Sequence, residues 1–160
     1  MQPIRVLFVC LGNICRSPAA EAIFKKIVES RNLSEKFIID SAGTSGYHDG
    51  EMADARMRTT ALKHDYEIMS ISRKFTSDDF KKFDYIIAMD QSNKSNMLKI
   101  SSNPKDQEKI YLMTDFKSRF ELEEVPDPYF GGEAGFELVI RLLEDCCEGL
   151  LMHINKTSGV

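Results

Sequence analysis

Residues 4 to 18 read Ile4-Arg5-Val6-Leu7-Phe8-Val9-Cys10-Leu11-Gly12-Asn13-Ile14-Cys15-Arg16-Ser17-Pro18. An apolar, β-branched run ends in a cysteine, an arginine follows six residues later, and a Ser-Pro pair opens a helical pattern. This order predicts a buried strand, a tight loop and a helix, with a thiol at the strand exit and a cation at the helix start. Successive N–H groups of such a loop turn inward and form an anion nest. Gly12 permits backbone angles closed to other residues, and Asn13 tolerates the left-handed conformation. Arg16 supplies a planar fork for two phosphoryl oxygens. The spacing points to phosphate-ester chemistry.

Outward from this stretch, strands and helices alternate. Ile4–Val9, Phe37–Asp40, Tyr85–Ala88 and Lys109–Met113 read as short strands buried on both faces. Helical spacing spans about Pro18–Arg31, Ala53–His64, Ser92–Ile100 and Ala134–Ile154. Ser101-Ser102-Asn103-Pro104 reads as a loop. The alternation predicts an α/β fold with right-handed crossovers and a parallel sheet covered on both sides. Ligands of such sheets collect beyond the carboxyl ends of the strands. Cys10, an Asp40-Ser41-Ala42-Gly43 turn and Met89-Asp90 all fall at that rim.

Composition narrows the function. The 160 residues fit one domain, 42% are hydrophobic and 29% charged. No apolar run approaches the ~20 residues of a membrane span. The N-terminal segment lacks a signal-peptide pattern, which makes the cytosol the expected location. A net charge of −4 without a basic cluster argues against a nucleic-acid partner. The cysteines at 10, 15, 146 and 147 do not read as a disulfide framework, and they form no zinc pattern with His48, His64 or His153. Cys146 and Cys147 fall in a helical pattern where small thiols pack. The loop lacks the Walker nucleotide pattern, and a lone glycine does not make a dinucleotide fingerprint.

A free cysteine titrates near ~8.5, and a helix N-terminus beside a cation lowers that value. Cys10 has both influences in prospect. Ser17 suits an N-cap, or its hydroxyl turns to the Cys10 sulfur instead. Transfer of a phosphoryl group to sulfur then needs an acid for the leaving oxygen. Asp127, in Val125-Pro126-Asp127-Pro128-Tyr129-Phe130, stands on a loop stiffened by two prolines and is the candidate acid.

These residues resemble the low-molecular-weight protein tyrosine phosphatases. The resemblance rests on Val9–Pro18 and Asp127-Pro128-Tyr129, with support from Asp40–Thr44 and Met89–Asn93, and runs the length of the chain. It implies a three-layer α/β/α domain over residues 1–160 with a four-stranded parallel sheet, of the phosphotyrosine phosphatase I-like type. It also implies hydrolysis through a cysteinyl-phosphate, without metal or cofactor. By position Cys10 is the nucleophile, Arg16 the phosphate clamp, and Asp127 the acid that later activates water. Leu11 to Ser17 form the phosphate-binding loop, supported by Asn13, Ser17 and Ser41. Ile14, Tyr47 and Tyr129 form the walls around a phosphorylated ring, and Cys15 is the thiol that pairs reversibly with Cys10 on oxidation. Phosphotyrosine proteins or small aryl phosphates are the implied substrates, and inorganic phosphate the product and competitive inhibitor.

Two positions depart from the family. Ser70 stands where a histidine often supports the loop asparagine. Tyr129-Phe130 replaces the tyrosine pair of many eukaryotic members, so phosphorylation there involves at most Tyr129. Arsenate reduction on the same scaffold would need cysteines near mid-chain, and nothing lies between Cys15 and Cys146. A phosphate-binding module without turnover would not need Cys10 and Asp127 together. A sugar-transport phosphocarrier would need neither Arg16 nor the Asp-Pro loop.

Overall fold

Four strands form the sheet among residues 2–160, which the computed structural model describes. They are β1 (Ile4–Cys10), β2 (Phe37–Gly43), β3 (Tyr85–Ala88) and β4 (Ile110–Leu112), all parallel in the order β2-β1-β3-β4. Six helices join them: α1 (Arg16–Ser30), α2 (Ala55–Lys63), α3 (Asp79–Lys82), α4 (Gln91–Leu98), α5 (Pro104–Gln107) and α6 (Glu133–Ser158). The three-layer parallel architecture implied by the sequence is the one observed.

Alternate residues of β1 serve opposite layers. Val6 and Phe8 pack with Ala20, Ile23 and Phe24 of α1 and with Val139, Leu143 and Leu150 of α6. Leu7 and Val9 pack on the other side with Phe75, Phe80, Ile86 and Met97. All four β1 side chains are fully buried, which explains why the segment shows no polar alternation. Each such side chain contributes about 1.5–3 kcal/mol relative to exposure.

Element ends differ from expectation where tertiary contacts decide them. β2 continues to Gly43, because Ser41, Ala42 and Gly43 pair with Phe8, Val9 and Cys10. The Asp40–Gly43 segment is therefore strand, not turn. β4 is shorter than Lys109–Met113, since Met113 opens a single 3-10 turn, Met113–Phe116. α1 begins at Arg16, two residues before Pro18, and ends at Ser30. α2, α4 and α6 sit within a few residues of the expected spans, with α6 extended to Ser158 before Gly159 at φ 70°. Pro104 is not loop but the first residue of α5, capped by Asn103. α3 carried too short a pattern to be read from sequence.

β1 lies between β2 and β3; the chain leaves β1 towards β2 on one side and leaves β3 towards β4 on the other. That makes the carboxyl end of β1 the switch point at which such folds open a crevice. Cys10 is the last residue of β1.

Candidate active site

The chain leaves β1 at Cys10 and enters α1 at Arg16 through a loop held from behind by buried polar side chains. Asn13 takes the left-handed conformation, with φ 56°. Its side chain is buried and fully engaged. Nδ2 donates to Ser17 Oγ at 2.7 Å and to Ser41 Oγ at 2.9 Å, while Oδ1 accepts from Arg73 N at 3.0 Å. The backbone donor Arg73 N–H fixes which end of the amide is oxygen. Ser41 donates to Glu21 Oε1 at 2.6 Å, and Lys25 pairs with the other oxygen of that buried carboxylate.

Ser17 does not cap α1. It lies inside the first turn, with Cys15 at the N-cap position and no side-chain cap. Its hydroxyl oxygen lies 3.1 Å from Cys10 Sγ and 3.3 Å from Ala42 O. That oxygen accepts from Asn13, and its one proton has two acceptors in reach, Ala42 O and the Cys10 sulfur. Gly12 is not the left-handed residue of the loop; its role is space. A Cβ there would lie 3.0 Å from His48 Cδ2. Gly43 meets a tighter limit, because its Cβ would lie 2.8 Å from Leu11 O and 3.0 Å from Asn13 N. Only a bare backbone at the end of β2 lets the loop close over it.

Ser70 makes no hydrogen bond to this loop among the described residues. Support comes from further along the same segment, where Ser72 Oγ donates to Gly12 O at 2.9 Å and Arg73 N reaches Asn13. Arg73 is itself held by Asp40 and Asp79. Among the described residues, no backbone N–H from Leu11 to Ser17 donates to a protein acceptor. These donors lie where α1 begins, so dipole and N–H groups favour the same negative charge.

Arg16 is 2% exposed. Its Nη1 donates to Asp90 Oδ2 at 2.7 Å and to Val125 O at 3.0 Å, and its Nη2 lies 3.7 Å from Asp127 Oδ2. Burial opposes the charge, but the facing Cys10 and the Asp90 carboxylate outweigh it and hold the guanidinium above its ordinary pKa. Asp90 was not singled out from sequence beyond its place at the rim. It caps α4 through a reciprocal bond pair with Asn93 and turns its second oxygen to Arg16. The Asp-x-x-Asn start of α4 was the readable part of that signal. The contact with Arg16, 74 residues away, was not readable.

Cys10, Leu11, Gly12, Ile14, Cys15, Arg16, Tyr47, Asp127 and Tyr129 line one cavity of about 460 Å³. Asn13, Ser17 and Ser41 stand behind its floor. Ser45, His48 and Phe130 also line it, unanticipated from sequence. His48 fits between the walls, 4.9 Å from the Tyr47 ring and 6.3 Å from the Tyr129 ring, with Nδ1 at 3.2 Å from Glu51. Asp127 is partly exposed and accepts from Tyr129 N at 3.0 Å. Cys15 is buried; desolvation, with Asp54, Cys10 and Asp127 adding to it and Arg56 opposing, pushes its thiol well above the ordinary range.

The family model described as low molecular weight phosphotyrosine protein phosphatase matches residues 5–159. This chain belongs to that family. As a member it is a protein tyrosine phosphatase, a metal-independent phosphoric monoester hydrolase. The human low molecular weight phosphotyrosine protein phosphatase is 42% identical over 147 residues, which cover 91% of this chain and 92% of that protein. A crystal structure of a protein tyrosine phosphatase from Entamoeba histolytica, with Hepes in its active site, superposes with a TM-score of 0.94. It is 50% identical and covers 96% of this chain and 98% of that one. The structure of a Drosophila arginine phosphatase gives a TM-score of 0.87 at 37% identity, covering 94% of this phosphatase and 97% of that chain. Among the described residues, no helix is long and apolar enough to cross a membrane. No group of three or more His, Cys, Asp or Glu among them is placed to hold a metal ion.

Proposed function

We propose that this phosphatase hydrolyses phosphotyrosine and small aryl phosphates in two steps, with Cys10 as nucleophile, Arg16 as clamp and Asp127 as acid and then base. The observation that carries the assignment is convergence. A thiol and a buried guanidinium from the two ends of one loop and a carboxyl more than a hundred residues away line one cavity, over a loop whose N–H groups have no protein acceptor among the described residues. In the first step the substrate dianion takes those N–H groups and the free edge of Arg16. The Cys10 thiolate attacks phosphorus, an S–P bond forms as the P–O bond breaks, and the Asp127 proton goes to the leaving phenolic oxygen. In the second step the Asp127 carboxylate takes a proton from water, whose oxygen attacks phosphorus. The S–P bond breaks and its electron pair returns to sulfur, where the Ser17 hydroxyl donates to the thiolate. Inorganic phosphate remains in the loop as product and competes with substrate.

Tyr47, Tyr129 and Ile14 support a preference for a flat aryl group at the mouth. Each step uses groups of the chain itself and, in the second, one water. A reducing compartment such as the cytosol suits an enzyme whose nucleophile must stay a thiol. The test is a panel of phosphotyrosine, phosphoserine and phosphoarginine peptides and flavin mononucleotide, assayed in EDTA with wild type and Cys10→Ser. Fastest turnover of the aryl esters, lost in Cys10→Ser, is expected. Preference for phosphoarginine would redirect the substrate assignment, and turnover retained by Cys10→Ser would remove the nucleophile.

A further inference from the structure

The loop carrying Asp127 is tied to the rest of the protein at few points. Among the described residues, the only hydrogen bond from the Pro126–Gly131 segment to another element is donated by Arg56 Nη2 to Tyr129 O, at 2.9 Å. The same guanidinium is gripped from behind by Asp54. Nε reaches Oδ1 at 3.1 Å and Nη2 reaches Oδ2 at 2.9 Å. Its flat face lies 5.4 Å from the Tyr129 ring and 4.8 Å from the ring of Phe136, a buried residue of α6. Asp54 in turn caps α2, and its N–H donates to Ile14 O of the anion loop at 2.8 Å. A continuous chain therefore runs from the anion loop through Asp54, Arg56 and Tyr129 to Asp127, whose carboxylate accepts from Tyr129 N at 3.0 Å.

We propose that Arg56 is a positioning residue that latches the acid loop to the anion loop and sets where Asp127 meets the leaving oxygen. Arg56 does not line the cavity, so it acts through Tyr129 and not on the substrate. Lysine cannot substitute. A single ammonium cannot hold both Asp54 oxygens, donate to the Tyr129 carbonyl and lie flat between two rings. The proposal rests on Asp127 being the general acid, and it makes the latch matter most when the leaving group needs a proton.

The experiment measures kcat/KM across a series of aryl phosphates of rising phenol pKa, from p-nitrophenyl to phenyl phosphate, together with the inhibition constant of inorganic phosphate. Arg56→Ala and Arg56→Lys should lose about tenfold on phenyl phosphate and little on p-nitrophenyl phosphate, a fraction of the full effect of a general acid. Phosphate inhibition should stay at the wild-type level, which shows that the anion loop is folded. Asp54→Asn keeps the helix-cap oxygen but loses the ionic grip, so it should shift the series the same way by a smaller factor. Equal losses on every ester, weakened phosphate inhibition, or an unchanged series would overturn the latch. Asp127→Asn in the same series separates the two readings. If it steepens the series and Arg56→Ala does not, the latch alone fails; if Asp127→Asn leaves the slope unchanged, the acid assignment fails first.

Discussion

Replacing Asn13 separates two contributions that the loop combines in one residue. The side chain makes three buried hydrogen bonds, at 2.7, 2.9 and 3.0 Å, and the backbone holds φ at 56°. Asn13→Ala loses all three bonds and leaves the Arg73 N–H unpaired, at about 1–3 kcal/mol for such a stranded group. The two serine hydroxyls each lose an intramolecular donor, at about 0.5–1.5 kcal/mol per bond. The left-handed backbone adds about 1–2 kcal/mol for a residue with a Cβ and no local polar compensation. The expected loss is thus roughly 3–8 kcal/mol. Asn13→Gly removes the same bonds but not the conformational freedom, so it should be the more stable of the two by about 1 kcal/mol. Urea unfolding at neutral pH reads both differences, and turnover of p-nitrophenyl phosphate reads the loop. Both variants should be slowed, because Ser17 then loses the donor that holds its hydroxyl beside Cys10. An Asn13→Ala protein as stable and active as wild type would refute this account of the loop, and so would an Asn13→Gly protein less stable than Asn13→Ala.

Four other outcomes follow from the geometry. Arg16→Lys should cut kcat/KM by about a hundredfold or more, because a point charge cannot hold Asp90, Val125 O and two phosphoryl oxygens together; a loss under threefold would contradict it. Gly43→Ala pushes on Leu11 O and the Gly12–Asn13 backbone, so phosphate inhibition should weaken even where the protein remains folded; unchanged inhibition and stability would contradict the close approach. Peroxide inactivation should be reversed by dithiothreitol in wild type and poorly in Cys15→Ser, since Cys15 lines the same cavity as Cys10; equal recovery would rule out a resolving role for Cys15.

The fourth concerns pH. Burial opposes the charge of Asp145, but bonds from Ser118 N, Ser118 Oγ, Arg119 N and Arg119 Nε bring its pKa down to about 2. A lowered folded value adds stability above the unfolded pKa, and this is lost as pH falls toward 2. Asp145→Asn should therefore cost on the order of 2 kcal/mol at pH 7, a gap that closes on acidification. A gap that is constant with pH would contradict the assignment.

The sheet was legible because β1 and β3 carry unbroken apolar runs that only a doubly covered strand requires. The nucleophile loop was legible because its parts are consecutive: Cys10, the left-handed Asn13, Arg16 and the helix start lie within one short segment. β2 was read too short because Ser41 looks like a turn residue, and only the pairing with Phe8 and the bond to Glu21 make a buried serine favourable there. Gly12 and Asn13 both read as residues able to take the special backbone angle, and Asn13 takes it; nothing local distinguishes the two without the Arg73 and Ser41 partners. The contacts of Ser72, Gly43, Asp90 and Arg56 were not legible, for a common reason. Each acts on a segment remote in sequence, and the contact exists only once the sheet order is set. The vacancy expected at Ser70 is filled by the hydroxyl of Ser72 and the main chain of Arg73, a solution that no spacing rule announces.

In the proposed two-step reaction the phosphoryl group passes through the Cys10 sulfur. Rapid acid quenching of the enzyme during turnover of a good aryl phosphate, followed by peptide mapping, tests it most directly. Phosphate carried on Cys10, with more of it retained in Asp127→Asn and none in Cys10→Ser, is the predicted result. A phosphorylated residue elsewhere, or turnover with no phosphoenzyme at any quench time, would contradict it.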